Sequence, residues 1–333
     1  MKVEVSEGVV DAALGSSNVM KLHKLLGFAC EGRHVILFDD QESQRKCLDT
    51  FTTETRTIYA EALEYMYRLS AQLPADVATI RIDNIASESW SVPLAVLSLD
   101  QALSTLEEPL GIIVENAEND WCFLCGIMRT SERQRITQAQ QRGWLRAYHG
   151  GGSTLQAEVQ RRLSFPQQSL RTFVLFDSDR RHPDELAPEW SPAANEQCQG
   201  YTVQRELDPL LPGRYWMLKR RFIESYMPVD EMADAVSGNV HSDAIDAFSR
   251  MGQDARWYFN MKKGFNGDLA VENKHRCLNL YSDINDDDRN ALNSGFGRSF
   301  ADRYQEAVNV EFNWDQEARL EASSALPNLM RLL

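Results

Sequence analysis

The sequence lacks the marks of several large protein classes. No apolar run approaches the roughly 18 residues a membrane-spanning helix requires, so a membrane span is not expected. The opening stretch MKVEVSEGVVDAALG carries acids where an export signal needs an unbroken apolar segment, so a cytoplasmic location is expected. No Gly-x-x-x-x-Gly-Lys-Ser/Thr occurs, which excludes a P-loop ATPase within this chain. The six cysteines (30, 47, 122, 125, 198 and 277) are scattered in a chain too large to need stapling and read as reduced thiols. The six histidines have no metal-ligand spacing, and there is no internal repeat or low-complexity tract. What remains is ordinary globular composition: 333 residues, 43% apolar and 25% charged. At roughly 150 residues per domain, two domains or three compact lobes are expected.

The net charge of −14 argues against a nucleic-acid partner, because neutralising phosphates takes Lys and Arg. The distribution qualifies that. Residues 1–128 carry 9 basic and 20 acidic groups, whereas residues 129–181 carry 10 arginines and 4 acids. Residues 182–333 return to 16 basic and 25 acidic groups. A basic island therefore lies between acidic flanks, and Asp177 and Asp179 lie within it. Taken alone, such an island is equally well read as a solvated helix face.

Periodicity divides the chain into an N-terminal α/β lobe (1–108), a central α/β segment (109–230) and a mainly helical C-terminal lobe (231–333). Residues 34–38 and 78–82 read as strands flanking a helix over 41–72, which Pro74 closes. This lobe has no catalytic set and is read as an interaction or substrate-positioning unit. In the central segment, Pro109–Val114, Thr172–Phe176 and Tyr215–Leu218 read as strands, with helices over 118–128 and 154–163. Such alternation predicts a parallel sheet with crossover helices. Residues 182–212, with five prolines, read as a loop-rich insertion, and a Leu-rich helix is expected from about 314.

Reactive groups in an open parallel sheet gather at the carboxyl ends of the strands. Glu115 and the pair Asp177/Asp179 each follow an apolar run, so all three are expected at one sheet edge. Converging carboxylates repel unless a cation neutralises them, and hard oxygen ligands favour Mg²⁺ or Mn²⁺.

The segments Ile-Ile-Val-Glu115 and Phe-Val-Leu-Phe-Asp177-Ser-Asp179 together resemble the TOPRIM domain of topoisomerases, primases and the OLD (overcoming lysogenisation defect) nucleases. The Gly150–Gly151–Gly152 turn resembles the glycine-bearing turn of that fold, expected as a phosphate loop. Leu218-Lys-Arg-Arg-Phe-Ile-Glu224-Ser-Tyr is similar to the Arg-Arg-Glu-Ile-Glu-Asn-Tyr stretch of OLD-like members, with Phe222 and Ser225 as departures. The resemblance covers about residues 109–230. It implies a metal-dependent nuclease acting on DNA or RNA, with Glu115, Asp177, Asp179 and Glu224 as metal ligands. Lys263, or its neighbour Lys262, would contact phosphate, and Glu115 could instead act as general acid/base. Arg161, Arg162, Arg180, Arg181, Lys219, Arg220 and Arg221 would hold the nucleic acid. OLD proteins usually carry a fused ATPase, so a separately encoded ATPase or sensor and a role in anti-phage defence are implied.

Other features read more plainly. Cys122 and Cys125 lie on a predicted helix and are expected as buried thiols rather than zinc ligands. His149 and His182 are candidate accessory groups; Trp216 and Trp257 read as core. Two rival functions remain: a non-catalytic module that binds nucleic acid or a partner ATPase, and a haloacid-dehalogenase-like phosphatase. The latter wants Thr or Val where Arg181 stands.

Overall fold

The computed structural model describes residues 1–151, 154–236, 242–268 and 279–333. Two four-stranded sheets, all parallel, organise the chain. The first has the order β2-β1-β3-β4, from Lys2–Val5 (β1), Val35–Phe38 (β2), Thr79–Ile82 (β3) and Leu94–Leu97 (β4). The second has the order β6-β5-β7-β8, from Leu110–Val114 (β5), Leu145–His149 (β6), Thr172–Phe176 (β7) and Tyr215–Met217 (β8). The strand plan is thus the same in both. In each, the first strand in the chain is central, paired on one side with the second strand and on the other with the third.

Every residue of β5 and β7 is buried, as expected for a sheet covered on both faces. Leu110, Ile112, Val114, Phe173 and Leu175 join a core that runs on through the C-terminal helices to Leu332. Ile113, Val174 and Phe176 point the other way, onto helices Leu155–Leu163 and Gln199–Leu210. The N-terminal lobe packs a core of its own, from Met1 to Leu106 with Leu170 added. Its short strands alternate: Val3 and Val5 are fully buried while Lys2 and Glu4 are half-exposed.

Several expectations need correction. The helix expected over 41–72 is two helices, Gln41–Leu48 and Thr53–Ser70, broken where the Thr50 hydroxyl donates to the Cys47 carbonyl. The segment 182–212 is not all loop. It contains the 12-residue helix Gln199–Leu210, which tolerates Pro209 in its last turn. The terminal helix, Gln316–Met330, starts where expected, capped by Asp315, which accepts from the Ala318 N–H at 2.9 Å. Among the described residues no helix is long and apolar enough to cross a membrane. Cys30, Cys47, Cys122, Cys125 and Cys198 are free thiols, and Cys277 lies outside the described residues.

Candidate functional site

Neighbouring strands β5 and β7 end at Val114 and Phe176, so Glu115 and Asp177 emerge side by side. The Asp177 N–H donates to Glu115 Oε1 at 3.2 Å. The turn after β7 is tied to the segment after β8. The Ser178 hydroxyl donates to the Arg220 carbonyl (2.8 Å), the Asp179 N–H to the Arg221 carbonyl (3.1 Å), and the Ile223 N–H to Asp177 Oδ1 (2.9 Å). Asp179 has φ 54°, a left-handed conformation that costs a non-glycine residue energy and persists only where its surroundings enforce it. One enforcing contact is the Gly200 N–H, 3.2 Å from Asp179 Oδ2. Gly200 has to be glycine: a Cβ there would lie 2.2 Å from the Ser178 carbonyl oxygen.

Glu224 stands on a short 3₁₀ turn, Ile223–Tyr226, and is almost fully buried. Its Oε1 pairs with Lys262 Nζ at 3.0 Å. Its Oε2 is buried with no hydrogen-bond partner among the described residues. A fifth acid completes the group. Asp120, buried in the first turn of helix Asn119–Ile127, accepts from the Asn116 N–H at 2.9 Å. Glu115 and Asp179 are half-buried, so the group opens to solvent on their side.

Burial, and after it the neighbouring acids, shows in the proton affinities. Burial, then Asp179 and Asp120, push Glu115 up to about 8. Burial, helped by Glu224 and opposed by the Asn116 N–H, pushes Asp120 up to about 7. Asp177 is raised strongly by burial, Glu115 and Glu224. Asp179 is raised by burial, against the Gly200 N–H and Arg221. Burial would lower Lys262, but Glu224, Asp177 and Glu115 outweigh it and hold the ammonium firmly charged. Five carboxylates thus surround one lysine. The all-oxygen donors and the orphaned Glu224 Oε2 fit a hard divalent cation. As the side chains stand, no set of three or more His, Cys, Asp or Glu among the described residues is arranged to hold an ion. Binding one would therefore need side-chain rearrangement within the group, whose half-buried members are Glu115 and Asp179.

The basic residues divide differently from the sequence expectation. Arg162 is buried, donates to the Thr172 hydroxyl at 3.0 Å, stacks on Tyr148, and fills the space beside Gly111, where a Cβ would meet it at 2.5 Å. Arg180 is buried between Trp190 and Tyr201 and donates to Gln204 Oε1. Arg220 is buried between Tyr226 and Trp257 and forms a two-point pair with Asp315 at 2.6 and 2.7 Å. Arg221 is buried and donates to the Tyr258 carbonyl. Arg180, Arg220 and Arg221 brace the segments around the acids from within, whereas Arg162 lies at the amino ends of β5 and β7. Arg181 is half-buried. Lys219 is exposed, and so is Arg161, which is paired with Glu158. Lys262, not Lys263, contacts Glu224; Lys263 is exposed, its N–H donating to Asn260 Oδ1. Gly150 and Gly151 donate to the Val114 and Glu115 carbonyls, beside the acids, and Gly152 lies outside the described residues. The His149 ring accepts from the Ala117 N–H, and His182 caps the turn at Asp184.

Asp120 and Glu321 carried no assignment from the sequence, and Lys262 stood there only as the alternative to Lys263. Glu321, buried on the terminal helix, accepts from the Trp216 indole, the Lys219 N–H and the Tyr226 hydroxyl. Asp120 was within reach, since it sits five residues after Glu115 at a helix start. No protein family, curated protein or solved structure matches the chain at a significant level.

Proposed function

We propose that this chain is a Mg²⁺- or Mn²⁺-dependent nuclease with a TOPRIM-like site of the OLD type at the carboxyl edge of its second sheet. The observation that carries the reading is the meeting of Glu115 and Asp177, 62 residues apart, with Glu224 beside the same turn. Glu115, Asp177, Asp179 and Glu224 would hold the ion, with Asp120 behind them. When bound, the ion would polarise the scissile phosphate and lower the pKa of a water nucleophile. Lys262 offsets the charge of Glu224 and lies close enough to the acids to meet an incoming phosphate. Alternatively, Glu115 would leave the ion to the other three acids and serve as the general acid/base at the leaving oxygen. Exposed Lys219 lies beside the site as a backbone contact. A separately encoded ATPase partner and a role in anti-phage defence rest on the sequence resemblance alone.

The test is cleavage of DNA and RNA by the purified chain with Mg²⁺ or Mn²⁺, beside Asp177→Asn. Metal-dependent cleavage lost in the variant is expected. Hydrolysis of small phosphate monoesters without polynucleotide cleavage would instead favour a phosphatase, and binding without turnover a non-catalytic module.

A further inference from the structure

At the edge opposite the carboxylates, the starts of β2 and β6 and the end of the terminal helix border an open cavity of about 710 Å³. Arg33, Arg135, Arg142 and Arg331 line it, against a single acidic side chain, Glu31. On a chain of net charge −14 this is a local reversal of sign, and a cleft with low-dielectric walls concentrates such a field. Arg33 donates to the Glu107 carbonyl at 2.8 Å, and Arg142 to the Glu31 carbonyl at 3.0 Å. Carbonyl partners fix a guanidinium without cancelling its charge. Glu31 and Glu107 oppose part of the charge on Arg33, and Arg331 is paired with Asp76 at 2.6 Å. Arg135 and Arg142 remain exposed at the rim.

The rest of the wall has another character. Met66, Leu69 and Met330 form an apolar floor. Trp144 is half-buried with the Arg142 guanidinium 4.7 Å from its ring centroid, and Tyr65 is 59% exposed. Arg33 Nε and His34 Nδ1, buried at the back, have no hydrogen-bond partner among the described residues. A simple inorganic anion would leave the floor and rings unused, and a neutral apolar ligand would leave the arginines unused. The volume lies within the range of about 300–1,000 Å³ typical of small-molecule sites.

We propose that this cavity binds a nucleotide, with phosphate at Arg135 and Arg142 and the base against Trp144 and the apolar floor. The site is separate from the carboxylate edge, so its occupant is a ligand and not the substrate of the proposed cleavage. The test is calorimetry in EDTA, which keeps the carboxylate site out of the measurement, with AMP, ATP and inorganic phosphate as probes. Nucleotide binding with Kd below about 1 mM is expected, weakened at least about tenfold in Arg135→Glu/Arg142→Glu. Asp177→Asn should bind like wild type, and Trp144→Phe should lose the fluorescence change that nucleotide causes. Should the double reversal fail to fold, Arg135→Gln, at an exposed position, reads the same loss. The proposal is overturned by absence of nucleotide binding, by phosphate binding as tightly as AMP, or by affinity unchanged in the arginine variants. Loss of binding in Asp177→Asn would also overturn it, by moving the nucleotide to the carboxylates.

Discussion

Glu115 keeps its proton to about pH 8 in the folded chain, whereas an unfolded glutamate releases it near pH 4.3. Between those values the folded state binds a proton that the unfolded state does not, so this group's contribution to stability declines as pH rises. Thermal melting in EDTA from about pH 5 to about pH 8 should therefore fall less steeply for Glu115→Gln than for wild type. Parallel curves would mean that burial and the neighbouring acids do not hold the Glu115 proton. Mn²⁺ should raise the wild-type melting temperature and do so much less in Glu115→Gln and Asp177→Asn. Gly200→Ala tests the turn itself. Its Cβ has only backbone to displace, so a loss of about 1–3 kcal/mol by urea unfolding is expected, together with loss of cleavage. Glu115 and Asp177 were readable because each directly follows an apolar run. Lys262 was not, because choosing between adjacent lysines depends on how the chain turns between Asn260 and Gly264, which side-chain pattern does not report.

The buried strands β5 and β7 were legible at the level of elements, since five apolar or β-branched residues bounded by polar ones admit few alternatives. β1, β4 and β6 escaped notice. They are four or five residues long, and β6 carries Arg146 and His149 on an edge where burial does not enforce apolarity. The helix Gln199–Leu210 was hidden by flanking prolines, yet its first turn seats the Asp177–Asp179 turn. The terminal helix acts on the site through Glu321, which receives three donors from the segment 216–226. Glu321→Ala should leave those donors unsatisfied and cost about 3–5 kcal/mol in chemical denaturation, with Glu321→Gln costing less. Equal, small losses for both would show that the segment is held by packing alone.

Across the whole molecule, acidic flanks mean that binding a polyanion relies on few exposed cations and must be sensitive to salt. Lys219→Glu, at an exposed position beside the proposed site, should lower affinity and reduce the salt slope by about 1. Arg162→Glu should instead unfold the central sheet, since it buries a carboxylate where a guanidinium meets Thr172 and Tyr148. An Arg162→Glu protein that melts like wild type would contradict that internal role. The long reach of Glu321 also bears on timing. It is translated 95 residues after Tyr226, the side chain it anchors. Strands β5 and β7 can leave the ribosome and pair well before then, with the stretch between Lys219 and Tyr226 still unbraced. A nascent or prematurely terminated chain therefore carries the acids without the three hydrogen bonds by which Glu321 holds the segment 216–226.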